Sequence, residues 1–329
     1  MNKPAQHKKS KPRASAPLSA SAFEQAWSDP RAQKGPPSPP PTVSGRWLLG
    51  AVAIAIPAAA LCAWAVLCLL FWQGSWQLLY HPASAVTRTP ASVGLAFDSV
   101  GFAATQTGEP LLRGWWISAA PGSRYASYTV LYLHGQDGNI GDTVDSLAVL
   151  HGIGVNVLAF DYRGYGQSRF ARPSEVRWRE DAESALKYLT GTRHIPANTI
   201  VLDGDALGAN LALQTAADHH ELAGVILHDP IPDAINVVLS DPRARLIPAR
   251  LLVQDRYELD KPATALQIPS LWLLQIASPP NLYMVSQSWV FKEVSARKKL
   301  LWLPARTLAP KEELDALSSL LDDQPTSTR

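Results

Sequence analysis

Residues 199–213 read TIVLDGDALGANLAL, a short apolar run followed by a glycine-flanked turn and a segment of good helix formers. In a strand–turn–helix of this kind, glycines at 204 and 208 let the strand and the helix approach closely, and the central side chain stands out at the apex. Where such a turn supports catalysis, the apex residue is the nucleophile. Here the apex is Ala206, whose methyl group cannot attack a carbonyl.

The segments on either side of this turn alternate in the order expected of an α/β fold, with a mostly parallel central sheet flanked by helices. Helices are predicted at 142–151 and 173–189. A segment without clear periodicity, 240–267, is a candidate cap over the sheet. Strands are predicted at 95–102, 110–118, 128–133, 155–160, 199–202, 224–227, 270–275 and 300–303.

The amino-terminal tail, residues 1–46, carries eight basic residues against two acidic ones and is rich in Ser, Ala and Pro. Because the tail has few large apolar groups to bury, folding could not offset the entropy lost on ordering, and the tail is predicted to be disordered. It lacks the interleaved aromatic residues and the fold of a nucleic-acid-binding segment, and no nucleic-acid partner is expected. Its proline run, 36–41, is either a solvated spacer or a site for a proline-reading partner.

Residues 47–72 contain no charged residue. At about 1.5 Å per residue this run is long enough to cross a hydrocarbon core of roughly 30 Å, and it predicts a transmembrane helix. A cleavable signal peptide is the alternative, but the run is long for a signal core. Both cysteines, Cys62 and Cys68, lie inside the run, so neither can form a disulfide framework or a metal site in the remaining domain, 73–329.

Basic residues flank the amino-terminal end of this helix at Arg31, Lys34 and Arg46, whereas no lysine or arginine occurs between Trp72 and Arg88. By the positive-inside rule, the tail lies in the cytoplasm and the domain lies outside it. In a bacterium this predicts a single-pass protein of the inner membrane with a periplasmic domain.

Three motifs in order resemble those of the α/β-hydrolase superfamily: HGQDGN at 134–139, FDYRGYGQS at 160–168 and GDALG at 204–208. The likeness covers about residues 75–321 and is greatest to membrane-anchored serine hydrolases of the Bem46-like, monoacylglycerol-lipase and S33-related type. The segment Tyr80-His81-Pro82 resembles the chain that leads into such domains.

The resemblance implies a catalytic triad of Ser, Asp or Glu, and His, in that order. The nucleophile position falls on Ala206, the acid position on a segment that contains Ser278 but no carboxylate, and the histidine position on Leu308. No histidine occurs after His228. The triad is therefore expected to be degenerate.

The resemblance also implies an oxyanion hole made by the backbone amides of Gln136 and Leu207, which would survive the loss of side chains. Two functions follow. The first is a pseudohydrolase that binds an acyl or apolar ligand, or scaffolds a protein partner in the envelope. The second is an active ester or peptide hydrolase with a rearranged site, for which His228 and Asp229 could supply a base and Ser240 or Ser278 a nucleophile. No metal or cofactor site is predicted.

Overall fold

The computed structural model describes residues 43–104, 107–232, 234–276 and 282–304, with the single residues 24, 315, 316, 319 and 322. It divides the chain into two compact units, Met1–Leu61 and Cys62–Arg329. Almost all of the predicted tail, 1–46, lies outside the described residues, as do Ser278 and Leu308.

The first helix, α1, runs over Gly45–Gly74 and contains the predicted span, 47–72. It is long and apolar enough to cross a membrane by its length and composition. Pro57 lies inside the helix.

Within the part of the chain that the structure describes, the central sheet has eight strands in the order β10-β9-β8-β7-β4-β6-β3-β2. Strands β2 and β3 form an antiparallel hairpin and β3 is antiparallel to β6, while all the other neighbours are parallel. The predicted α/β-hydrolase fold is confirmed. The strands are β2 (Asp98–Ala104), β3 (Pro110–Ile117), β4 (Thr129–Leu133), β6 (Asn156–Asp161), β7 (Ile200–Asp205), β8 (Gly224–His228), β9 (Ser270–Ile276) and β10 (Lys298–Pro304). Two further short strands, β1 (His81–Pro82) and β5 (Asp137–Gly138), pair with each other.

The helices that follow α1 connect these strands. They are α2 (Val144–Ile153), α3 (Glu175–Lys187), α4 (Leu207–Asp218), α5 (Ala234–Leu239), α6 (Ala249–Leu252), α7 (Asp260–Ala265) and α8 (Leu282–Glu293). The candidate cap, 240–267, which is described throughout, contains α6, α7 and a 3₁₀ turn over Pro242–Leu246. That this segment caps the sheet stays a prediction.

Side chains on the parallel strands alternate between two apolar layers. On one face, Leu133 and Leu202 pack with residues of α3 and α4, and on the other, Tyr132 and Val201 pack with residues of α2. This period of two is what a sheet covered on both faces requires. It also sets which side chains meet at the carboxyl ends of the strands, where the site lies.

Candidate functional site

A sharp turn joins β7 to α4, and Ala206 is its single connecting residue. Ala206 has φ +50° and ψ −116°, a backbone conformation that a residue with a Cβ adopts only at a cost of about 1–3 kcal/mol. The Ala206 N–H donates to the carbonyl of His228 at 2.9 Å, and the Ala206 carbonyl accepts from Ala209 N–H at 3.0 Å. The strained turn is thus held on both sides, with a methyl group at its apex.

The two glycines of the turn are required by close packing of backbones. A Cβ on Gly204 would lie 2.3 Å from the carbonyl oxygen of Gly208, and a Cβ on Gly208 would lie 2.1 Å from that of Leu133. Both distances are shorter than any real Cβ contact, so β4, β7 and α4 meet here only because glycine occupies both positions.

The predicted oxyanion donors lie beside this turn. Leu207 is the first residue of α4, where the helix dipole favours negative charge, and its N–H donates to the side-chain oxygen Oε1 of Gln136 at 3.3 Å. Gln136 is fixed in turn, because its own carbonyl accepts from Tyr165 Oη at 2.8 Å and from the His81 N–H at 3.0 Å. The Leu207 N–H is therefore already hydrogen-bonded to the side-chain amide oxygen of Gln136, a contact that the sequence did not predict.

A buried carboxylate lies against the imidazole of His228. His228 ends β8 directly opposite Asp205 of β7. The His228 Nε2 lies 3.0 Å from Oδ1 of Asp203, and the Asp203 side chain is 1% exposed. The sequence indicated Asp229 as the carboxylate near His228 and did not identify Asp203. The period of two places Asp203 and Asp205 on the same face of β7, and the register of β7 with β8 brings His228 to that face.

Asp229 turns towards the next strand. It has φ +45°, and its Oδ1 accepts from the Gln275 N–H at 2.7 Å, at the end of β9. Burial raises the pKa of Asp229, and the hydrogen bond from Gln275 partly offsets that rise. Desolvation also raises the pKa of Asp205, while the neighbouring charge of His228 lowers it. Two carboxyl groups with raised pKa values, Asp205 and Asp229, thus lie next to His228 at this sheet edge.

His134, directly after β4, has a structural role. Its Nδ1 lies 2.7 Å from the Gly135 carbonyl, and its ring packs against Tyr162 at 4.5 Å between centroids. Burial lowers the pKa of His134 to about 4, so the ring is neutral near pH 7. Its Nε2 is 3.7 Å from Asp161 Oδ1, and burial raises the pKa of that carboxyl to about 7.

Of the remaining candidates, only Ser240 is described, and it does not join this group. Ser278 and Leu308 lie outside the described residues. Ser240 follows α5, and its Oγ donates to the carbonyl of Val237 at 2.7 Å. Within the described ranges, no three His, Cys, Asp or Glu side chains converge as a metal site.

A cavity of about 660 Å³ lies away from Ala206. Its lining includes Trp72 and Trp76, beside the carboxyl end of α1, and Arg172 and Glu175, before and at the start of α3. The residues that line this cavity do not include Ala206, Leu207 or Gln136. The geometry that defines the candidate site is therefore the turn and its hydrogen bonds.

Comparison with known proteins gives relatives of similar sequence. The protein Rv2307c of Mycobacterium tuberculosis is 30% identical over 189 residues, which cover 57% of this chain and 64% of the relative. The protein YfhR of Salmonella typhimurium is 30% identical over 196 residues, which cover 55% of this chain and 63% of the relative. The chain thus matches a little under two thirds of the length of these relatives.

Solved structures show the same architecture. The esterase Pf2001 of Pyrococcus furiosus superposes with a TM-score of 0.57 at 19% identity, covering 75% of this chain and 98% of the esterase. An α/β hydrolase of Vibrio vulnificus superposes with a TM-score of 0.53 at 19% identity, covering 70% and 82%. The family model described as serine aminopeptidase, S33, matches residues 125–255. Together with the sheet order, these matches show that the chain has the α/β-hydrolase fold.

Proposed function

We propose that this protein is a membrane-anchored pseudohydrolase, which binds an acyl or other carbonyl-bearing ligand at the turn around Ala206 without cleaving it. The observation that carries the proposal is the strained conformation of Ala206. A fold that needs no apex side chain could relax this turn or place glycine there. Here the geometry that presents a nucleophile is combined with a side chain that has no nucleophilic atom.

The hydrogen bond between Leu207 and Gln136 supports a binding role. A backbone N–H at the start of a helix that holds an amide oxygen at 3.3 Å can equally hold a ligand's carbonyl or carboxylate oxygen. The ligand must displace the Gln136 side chain, so Gln136 competes with it for the same donor.

Ligand binding is tested with the full chain in lipid nanodiscs and hexanoate, a short acyl carboxylate, by saturation-transfer NMR. We expect saturable binding that Ala206→Trp abolishes, because the indole would fill the apex, while Ala120→Trp at an exposed loop position leaves binding unchanged. No saturable signal with the unmodified chain would contradict ligand binding and favour scaffolding of a protein partner in the envelope.

The anchor itself is part of the proposal: α1 spans a bacterial inner membrane with the tail in the cytoplasm and the domain in the periplasm. Single cysteines at Lys34 and Lys187, in a chain with Cys62→Ala and Cys68→Ala, test this orientation. We expect a membrane-impermeant maleimide to label position 187 and not position 34 in cells with a permeabilised outer membrane. The reverse pattern would contradict the orientation.

One observation favours the alternative, an active hydrolase with a rearranged site. His228 and Asp203 form a histidine–carboxylate pair on the strands beside the turn, at 3.0 Å. Such a pair can act as a general base when a nucleophile is within reach. The alternative requires a serine hydroxyl beside His228, and trapping of that serine is the measurement that separates the two functions.

A further inference from the structure

The chain between α5 and the end of α6 has an inner apolar side and an outer side of arginines and leucines. Ala244, Ile247 and Ala249 are buried in the core. Leu246 is 66% exposed and Leu251 is 81% exposed. We call the outward residues the arginine–leucine surface, and they are Arg245, Leu246, Arg250 and Leu251. Side chains as large as Leu251 lose much of their apolar stabilisation when they face water.

This surface adjoins the carboxyl-terminal part of α1. The Trp64 indole N–H donates to the Leu246 carbonyl at 3.0 Å, and all of these residues belong to the same compact unit, Cys62–Arg329. Phe71, on the same helix, is buried in the apolar cluster that holds Ala244 and Ile247. Trp64 lies eight positions before Trp72, about 12 Å along a helix axis. The arginine–leucine surface therefore lies beside an apolar stretch of α1, well before the end of the helix.

The charges on this surface are available to a partner. Arg243 is paired with Asp241 at 2.8 Å, but neither Arg245 nor Arg250 forms an ion pair with any described residue. Residues 47–329 as a whole carry more acidic than basic side chains, so Arg245 and Arg250 form a local basic patch beside two exposed leucines. Basic groups next to exposed apolar side chains match the boundary of an anionic bilayer.

We infer that the arginine–leucine surface enters the bilayer beside α1, with Leu246 and Leu251 in the acyl boundary and Arg245 and Arg250 at anionic headgroup phosphates. The inference rests on the proposed anchor, because α1 must be in the membrane for its neighbour to reach the lipid. The domain is then held against the membrane by two contacts, the helix and this surface, rather than tethered by the helix alone.

The test places a nitroxide at Leu251→Cys in the full chain with Cys62→Ala and Cys68→Ala, reconstituted in an equal mixture of phosphatidylcholine and phosphatidylglycerol. Leu251 is exposed, so the substitution removes no core packing. We expect collisions with a water-soluble nickel chelate to be several-fold rarer at position 251 than at Lys187→Cys, an exposed position at the end of α3. We also expect the double change Arg245→Gln, Arg250→Gln to restore part of the collisions at 251.

A nitroxide on native Cys62, in Cys68→Ala, separates failure of this inference from failure of the anchor. If Cys62 is shielded from the chelate while position 251 collides as often as position 187, the anchor stands and the inference is overturned. If Cys62 is itself accessible, both are overturned. If the arginine changes leave position 251 as shielded as before, the assignment of Arg245 and Arg250 to headgroups is wrong.

Discussion

Ala206 occupies a backbone conformation that is costly for any residue with a Cβ. Replacing it with glycine relieves a strain of about 1–3 kcal/mol and loses about 0.4–1 kcal/mol through the greater freedom of the unfolded chain. We therefore expect Ala206→Gly to raise the free energy of unfolding by about 1 kcal/mol. Urea denaturation of the full chain in detergent micelles measures it.

The matched control for this change is Ala209→Gly, three residues further on and inside α4. Glycine in a helix interior costs about 1 kcal/mol relative to alanine, so this variant is expected to lose stability. If both variants lose stability to the same extent, Ala206 does not carry the strain that its φ and ψ indicate.

Gln136 competes with any ligand for the Leu207 donor. We expect Gln136→Ala to strengthen binding of hexanoate about two- to tenfold, because one neutral hydrogen bond of about 0.5–1.5 kcal/mol no longer has to be broken. The same change at exposed Gln254 is the control and should leave the dissociation constant unaltered. Weaker binding by Gln136→Ala would mean that this side chain contacts the ligand instead of excluding it.

At the level of elements, the close contact of β4, β7 and α4 depends on glycine. In Gly208→Ala the new Cβ would meet backbone, which cannot rotate away, so we expect a loss of about 3 kcal/mol and a lower midpoint of thermal unfolding. The comparison is Gly191→Ala, where nothing lies within 4 Å and the change should be neutral to stabilising. Equal effects of the two changes would contradict the packing described around the turn.

The sheet was predictable because its strands are buried apolar runs separated by helices, as in Thr129–Leu133 and Gly224–His228. Strands β1 and β5 could not be predicted, because a strand of two residues shows no periodicity. In the site, the glycine spacing predicted the turn, but the approach of Asp203 to His228 depends on the register of β7 with β8. The contact of Gln136 with Leu207 joins residues 71 positions apart, so local sequence could not show it.

For the domain as a whole, buried Asp161 predicts a dependence of stability on pH. Its pKa is raised to about 7, so the folded state keeps a proton that the unfolded chain releases above about pH 4. The stabilising contribution is full below the unfolded pKa and is lost as the pH rises through 7. The difference in unfolding free energy between the native chain and Asp161→Asn should therefore fall between pH 4 and 8 by a few kcal/mol at most. A difference that stays flat or rises over this range would contradict the buried, protonated carboxyl.

If the protein binds its ligand without turnover, no serine of the chain acts as an activated nucleophile. Intact-mass spectrometry of the full chain after exposure to a fluorophosphonate, which traps activated serines covalently, tests it most directly. We expect no added mass, and none for Ala206→Ser, because an apex hydroxyl without its acid and histidine stays unactivated. A stoichiometric adduct on a serine of the unmodified chain would contradict the account and establish a hydrolase with a rearranged site.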